Sequence, residues 1–232
     1  MSLKNIVPPT QFTGLHAHTS FSTFDGLGYP KDHINFITSE EQGGNSWALT
    51  DHGNGSGLAH ANQHAMSLKK KGHDYRQIYG CEFYFVPSLH TWKMQYDEHR
   101  QKVKDERDNK KAKKLANSPV MINAEDEINQ GGHIIEDEEE TKKSSASKPQ
   151  WKKYYHLVVL AKNRKGLGNL FTLIKKSYKH GFYRFPRIDF EMLKEHGEGL
   201  IVSTACVGGI ASGIIYNEYK DLSFNDMNPD LL

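Results

Sequence analysis

The chain has 232 residues, with 30 Lys and Arg against 28 Asp and Glu and a net charge of +2. That length suits one large domain or two small ones, and the near-neutral balance excludes a globally basic nucleic-acid binder, although the cations could still cluster locally. Two cysteines are too few for a disulfide framework. No apolar run approaches a membrane span and Met1 opens no signal-peptide core, so the chain reads as a soluble, cytoplasmic protein.

Strand-like and helix-like patterns alternate. Phe12 to Ala17 reads as a strand, and Pro30 to Gln42 as a helix with Pro near its start and Gly43-Gly44 after it. Trp47 to Thr50 is a short apolar run, Leu58 to Lys71 is helical up to Gly72, and Ile78 to Val86 is aromatic and β-branched, hence a strand. Leu157 to Ala161 suits a strand buried on both faces. Leu167 to His180 carries Leu167, Leu170, Phe171, Ile174 and Tyr178 at helical spacing. Leu200 to Ser203 is another short strand, and Val207 to Tyr219 a Gly-interrupted helix. Repeated strand–helix units imply parallel strands, in a barrel or an open sheet, and such folds gather functional residues at the strands' C-terminal ends.

Residues 92–153 break the pattern. Lys93 to Leu115 is charged without an apolar stripe, followed by the acidic run Glu136 to Glu140 and then Lys142 to Lys148 with three serines. This composition cannot bury enough apolar surface to fold alone. It reads as a charged, flexible insertion between two strands, part solvated helix and part disordered. A solvated surface and a basic arm for nucleic acid both fit it.

Metal-competent side chains sit where the short apolar runs end. His16 and His18, two apart on a strand, point to one face and could share an ion; surface or core histidines are the competing reading. Asp25, before Gly26, is a third ligand or a turn residue. In Thr50-Asp51-His52-Gly53, Gly53 allows the exit that exposes His52, while Asp51 faces the opposite way and suits a cap or an outer partner of the ligands. Glu82, amid Ile78, Tyr79, Phe83 and Phe85, is expensive to bury without a cation and could bridge two metals. Cys206 follows an apolar strand and precedes Gly208-Gly209 at a helix start, which favours a thiolate; an inert buried thiol is the alternative. His156 opens its apolar run rather than closing it, and reads on its own as a core or edge histidine. The remaining histidines read as surface residues, although His60 and His64 share a helix face.

Leu15-His16-Ala17-His18-Thr19-Ser20 with Asp25-Gly26, Thr50-Asp51-His52-Gly53-Asn54 and Tyr79-Gly80-Cys81-Glu82 together resemble one family. It is the polymerase-and-histidinol-phosphatase (PHP) domain at the N-terminus of the bacterial DNA polymerase III alpha subunit, a C-family replicative polymerase. The resemblance continues through Tyr155 to Asn163, Gly166 to Leu173 and Gly181 to Asp189, and closes with Glu198 to Cys206. It covers nearly everything outside the insertion and the last dozen residues, and the charged insertion suggests a phage-encoded version acting in a bacterial host.

The resemblance implies an α/β fold, a distorted (β/α)7 TIM-like barrel with up to three metal ions. Residues 1–232 would form a partial PHP domain, truncated at its C-terminal end and interrupted at 92–153. By motif, His16, His18 and Glu82 would hold one ion, Asp25 and His52 a second, and Glu82, His156 and Cys206 a third, with Asp51 behind them. The family's final Asp-x-His motif is not reached before Leu232, and neither are the polymerase palm carboxylates. The mixed ligands favour Zn2+, with Mn2+ or Fe2+ as alternatives.

The implied activity is a metal-dependent 3′–5′ exonuclease or phosphoesterase, with a metal-activated water as the reacting group, alongside a structural role in DNA replication. Its implied partners are the 3′ end or single strand of DNA, the rest of the polymerase chain and other replisome subunits, with no membrane. The competing readings are a free-standing phosphatase of the histidinol-phosphatase type and a metal-stabilised interaction module.

Overall fold

The computed structural model describes residues 12–116 and 152–219. The first stretch carries α1 (Pro30–Ile37), β1 (Ser46–Leu49), α2 (Ser56–Lys70), β2 (Arg76–Phe85) and α3 (Leu89–Ala116). The second carries β3 (Tyr155–Ala161), α4 (Arg164–His180), β4 (Phe182–Tyr183), β5 (Phe185–Ile188), α5 (Phe190–His196), β6 (Leu200–Ser203) and α6 (Ile210–Tyr219). Residue contacts group 12–89 with 154–219 in one unit and place His90 onward, with residues 152 and 153, in another.

The strands form a mixed sheet in the order β4-β5-β2-β3-β6, with β1 joined to the first half of β2. β2 pairs in parallel with β1 and β5 but antiparallel with β3, and β3 is antiparallel to β6. The expected all-parallel arrangement is therefore corrected to a mixed sheet, and the pairings among the described residues do not close into a ring. The reversal falls at β3, where Gly80 to Phe85 pair with Leu160 back to Tyr155 in antiparallel register.

β3 is buried from Leu157 to Leu160, so both faces of the strand are covered and its sequence is apolar without alternation. Phe83, Phe85, Val159, Leu170, Leu173 and Ile188 make up much of the core between the sheet and its helices. α4 supplies Leu170 and Leu173 to it. The Asn163 side chain accepts from Gly166 N at 2.9 Å to cap α4, and Lys179 and His180 complement the dipole in its last turn. Asp189 caps α5 by accepting from Met192 N and also accepts from Leu89 N, both at 2.9 Å, tying the exit of β2 to that of β5.

Several sequence expectations shift. Residues 12–19 form no strand. Ala48 N donates to Gly14 O and Thr50 N to Ala17 O, so two residues of β1's line span three of the neighbour, and this extra residue breaks the ladder. The helix expected to reach Gln42 ends at Ile37, where the Thr38 N–H and hydroxyl both bond back to Ile34 O. α6 starts three residues later than expected, after a turn through Cys206. The β4–β5 hairpin and α5 were not anticipated.

The charged stretch from Lys93 is helical despite lacking an apolar stripe. It is stitched along its own surface by Lys93–Asp97, with Nζ 3.1 Å from Oδ2, by Gln101–Asp105 and by Trp92 stacked on Tyr96. The disorder expected for the later part of the insertion lies outside the described residues. No helix among the described residues is long and apolar enough to cross a membrane.

Candidate metal centre

Glu82 is the hub of the site. It lies on β2 and is only 1% exposed, yet four imidazoles surround its carboxylate. Oε2 meets His16 Nε2 in a short contact and lies 2.9 Å from His18 Nε2 and 3.9 Å from His52 Nδ1. Oε1 meets His156 Nδ1 in a second short contact. The two oxygens thus face different histidines, which is the disposition a bridging carboxylate requires.

Each partner arrives from a different element for a local reason. His16 and His18 lie on the irregular segment held against β1 by Thr50, whose hydroxyl accepts from Ala17 N at 2.9 Å. His52 follows β1 and pairs with Glu82 as a one-rung parallel extension, with Glu82 N donating to Asp51 O and Gly53 N to Glu82 O. Gly53 makes that turn at a φ of 63°, and a Cβ there would lie 2.6 Å from Pro186 Cγ, so the turn demands glycine.

His156 opens β3. Because β3 is antiparallel to β2, its start lies beside the end of β2, opposite Tyr84 and diagonal to Glu82. The position that looked wrong for a parallel strand is the one that reaches the site.

Asp25 enters by a reversal at Phe24, which adopts a left-handed φ of 67°. Its Oδ2 lies 2.8 Å from His52 Nε2 and 3.8 Å from His18 Nε2. Asp51 turns away from the imidazoles. It is buried and accepts from Thr19 N at 2.7 Å, from the Thr19 hydroxyl at 2.9 Å and from Ser22 Oγ at 2.8 Å, while Ser22 Oγ accepts from His52 N. One carboxylate thereby positions both the His18–Asp25 loop and His52. Gly57 makes room for it, since a Cβ there would meet Asp51 Oδ2 at 2.8 Å.

The ligand atoms fall into three overlapping triads, each with its atoms within 4.8 Å of one another: His16, His18 and Glu82; His18, Asp25 and His52; His52, Glu82 and His156. His52 takes the place in the third triad that the resemblance gives to Cys206. Cys206 is exposed and outside all three, but it is close by. Its sulfur accepts from Gly208 N at 3.4 Å, and Gly208 O accepts from His156 N at 2.8 Å. Cys81 is the inert thiol instead, fully buried with its pKa pushed well up by burial. His60 and His64 go separate ways, one stacked on Phe21 and the other bonded to Asn35.

The electrostatics suit cations. Burial acts to raise the Glu82 pKa, but hydrogen bonds from His156, His18 and His16 outweigh it and hold the carboxyl well below its usual range. For His18, burial favours the neutral ring, yet the Glu82 hydrogen bond and charge prevail and the pKa is raised. Burial prevails for His52, with the neighbouring His18 and His156 adding to it, and its pKa is lowered.

The donor set fits divalent metal ions: four imidazoles and two carboxylates converge, and the buried Nδ1 atoms of His18 and His52 have no hydrogen-bond partner among the described residues. His52 Nδ1 and Glu82 Oε2, 3.9 Å apart, lie within the span of two metal–ligand bonds of about 2 Å.

Sequence reasoning passed over Tyr84, Tyr154, Phe185 and Arg187. Tyr84 ring-stacks on His52 and Tyr154 on His156, with centroids 5.7 and 5.8 Å apart. The buried Arg187 donates to Tyr183 O and Phe185 O at 2.7 and 2.9 Å, locking the β4–β5 hairpin, and lies over Tyr154 at 5.6 Å. The two-residue step from Glu82 to Tyr84 was the available signal, since it puts both on one face of β2.

Comparison with known proteins gives these features a family. The chain matches the PHP domain over residues 14–227 and belongs to that family. It is 32% identical to DNA polymerase III subunit alpha of Aquifex aeolicus over 86% of its own length and 12% of the relative's. The same protein from Treponema pallidum is 29% identical over 85% of this chain, and that from Thermus aquaticus 28% identical over 95%. The chain spans only 12–14% of the length of these relatives.

Proposed function

We propose that this chain is the PHP domain of a DNA polymerase III alpha subunit and that its cluster binds divalent metal ions to hydrolyse phosphodiesters at the 3′ end of DNA. The single observation that carries the reading is the buried Glu82 carboxylate facing His16 and His18 with one oxygen and His156 with the other. Membership in the family and the likeness to polymerase subunits supply the substrate class. The family's distorted barrel is the proposed form of the whole domain, supported by the α/β order of its elements.

Bound zinc, or manganese or iron in its place, would lower the pKa of a water and neutralise phosphodiester charge. The protein's own part is to hold and orient. Glu82 bridges the first and third triads, while His18 and His52 each belong to two. Asp51 fixes the His18–Asp25 loop and His52 from behind through Thr19 and Ser22. Cys206, linked to His156 through Gly208, is the proposed additional ligand of the third triad.

The test is incubation with zinc or manganese and a 5′-labelled single strand, beside a small phosphomonoester. Stepwise loss of 3′ nucleotides, abolished by chelation and by His16→Ala, is expected. Cleavage of the monoester alone sinks the reading in favour of a phosphatase; metal-dependent thermal stability without hydrolysis favours a structural module.

A further inference from the structure

Beside the metal cluster stands a wall of three aromatic rings that the ligand geometry does not require. Tyr84 comes from β2, Tyr154 from the approach to β3, and Phe185 from β5. Their centroids are 4.6 Å apart for Tyr84 and Phe185, 5.1 Å for Tyr84 and Tyr154, and 5.4 Å for Tyr154 and Phe185. All three are partly exposed.

Tyr84 and Tyr154 can be explained as buttresses, since they stack on His52 and His156. Phe185 cannot. Its ring contacts run to the two tyrosines, tilted at 33° and 58°, so neither lies flat on it. A partly exposed phenyl ring held at the edge of a polar cluster loses more to solvent than a polar residue would.

The protein also accepts strain to hold it there. β4 and β5 are joined through Arg184 alone, which adopts a left-handed φ of 58° with Tyr183 paired opposite Phe185. Arginine in this conformation costs on the order of 1 kcal/mol, and its exposed guanidinium lies over the Tyr183 ring at 5.9 Å. The buried Arg187 then clamps the hairpin through Tyr183 O and Phe185 O. A flat ring, a neighbouring cation and a phosphodiester-competent metal cluster one ring contact away are the parts of a nucleotide subsite.

We infer that Phe185, framed by Tyr84 and Tyr154, is a stacking platform for the base of the nucleotide whose phosphate lies at the metal cluster, an inference that rests on the phosphoesterase reading for its substrate. The platform is indifferent to base identity, because every base offers a π-face to Phe185 and a phenyl ring carries no hydrogen-bonding group. Specificity at this position would be for a stacked base against none, not for one base against another.

The test measures equilibrium binding by fluorescence anisotropy, with manganese present, for single strands ending in a normal 3′ nucleotide and for the same strands ending in an abasic one. A free deoxynucleoside monophosphate serves as competitor, and 3′ hydrolysis is followed in parallel. The wild-type protein should prefer the base-bearing end by about tenfold, the scale of one base–aromatic stack. Phe185→Leu, which keeps apolar volume but removes the flat face, should lose that preference while abasic-end affinity and metal stoichiometry hold. Phe185→Trp should retain it.

Equal wild-type affinity for both ends, an unchanged preference in Phe185→Leu, or an equal weakening towards both ends overturns the inference. Weaker competition by the monophosphate against Phe185→Leu than against the wild-type protein supports the platform. Binding preference without hydrolysis sinks the phosphoesterase reading and leaves the platform standing.

Discussion

His156 reaches Glu82 because their strands run in opposite directions. The pairing of Tyr84 with His156 and Glu82 with Val158 puts the first imidazole of β3 on the same face as the carboxylate, one diagonal step away. In a parallel neighbour the same residue would stand at the far end of the sheet. The strand reversal is therefore part of the site and not only of the fold.

Replacing Glu82 with Gln tests the hub directly. The amide keeps the shape but removes the charge that two triads share. Metal affinity should fall by more than the ~10–100-fold typical of losing an outer partner, read by chelator competition, and hydrolysis should go with it. Wild-type metal binding by Glu82→Gln would exclude the proposed centre.

Asp51→Ala separates support from ligation. Removing a buried acceptor leaves Thr19 N and two hydroxyls without their partner, a loss of roughly 1–3 kcal/mol for a buried unsatisfied group. Urea denaturation should show that loss in the metal-free protein, and metal affinity should fall by about 10–100-fold. Stability lost with metal affinity intact would confine Asp51 to a structural role.

The pH response should differ between metal-free and metal-loaded protein. His18 is raised above its ordinary 6.5, so its contribution to metal-free stability is full below that value and is lost as pH climbs through the raised pKa. Glu82 is depressed, so its contribution is present above the ordinary 4.5 and is lost only as pH falls through the folded value. Together they favour the metal-free fold on the acid side of neutrality. Metal ions need neutral imidazoles, so the rise in Tm on adding zinc should be larger at pH 8 than at pH 5.5. Calorimetry in buffers of different ionisation enthalpy should show proton release on binding; no buffer dependence would contradict this protonation scheme.

Cys206→Ser addresses the third triad. With cobalt in place of zinc, the wild-type protein should show a thiolate charge-transfer absorption that the variant lacks. Affinity for one ion should fall by about tenfold or more while the other sites hold. No such band in the wild-type protein would place Cys206 outside the ligand set.

Much of the site was legible because ligands follow strand ends, and strand ends show as abrupt changes from apolar to polar residues. His52, just past β1, stood out on that basis. Glu82, inside β2, stood out instead as a carboxylate amid apolar residues, and His16 and His18 by their two-residue spacing, on a segment that is not a strand. His156 did not, because strand direction is a tertiary property: nothing local in Tyr155 to Ala161 says whether the chain returned parallel or antiparallel after its long excursion. The hairpin at Phe182 to Ile188 was missed for a related reason. Its turn is a single arginine at positive φ, where turn chemistry would call for glycine or asparagine, and a buried arginine holds it together. The segment at Phe12 to Ala17 has strand composition, but one extra residue against β1 costs it the ladder.

Three triads built from six side chains have a thermodynamic corollary. Glu82, His18 and His52 each serve two of them, so loading one position reorients and deprotonates groups that its neighbour also uses. The ions should therefore not bind as independent, equivalent occupants: each changes the affinity left for the next, and by linkage the effect is mutual. A stepwise titration curve, with unequal successive constants, is the behaviour that one shared carboxylate at the centre of the cluster dictates.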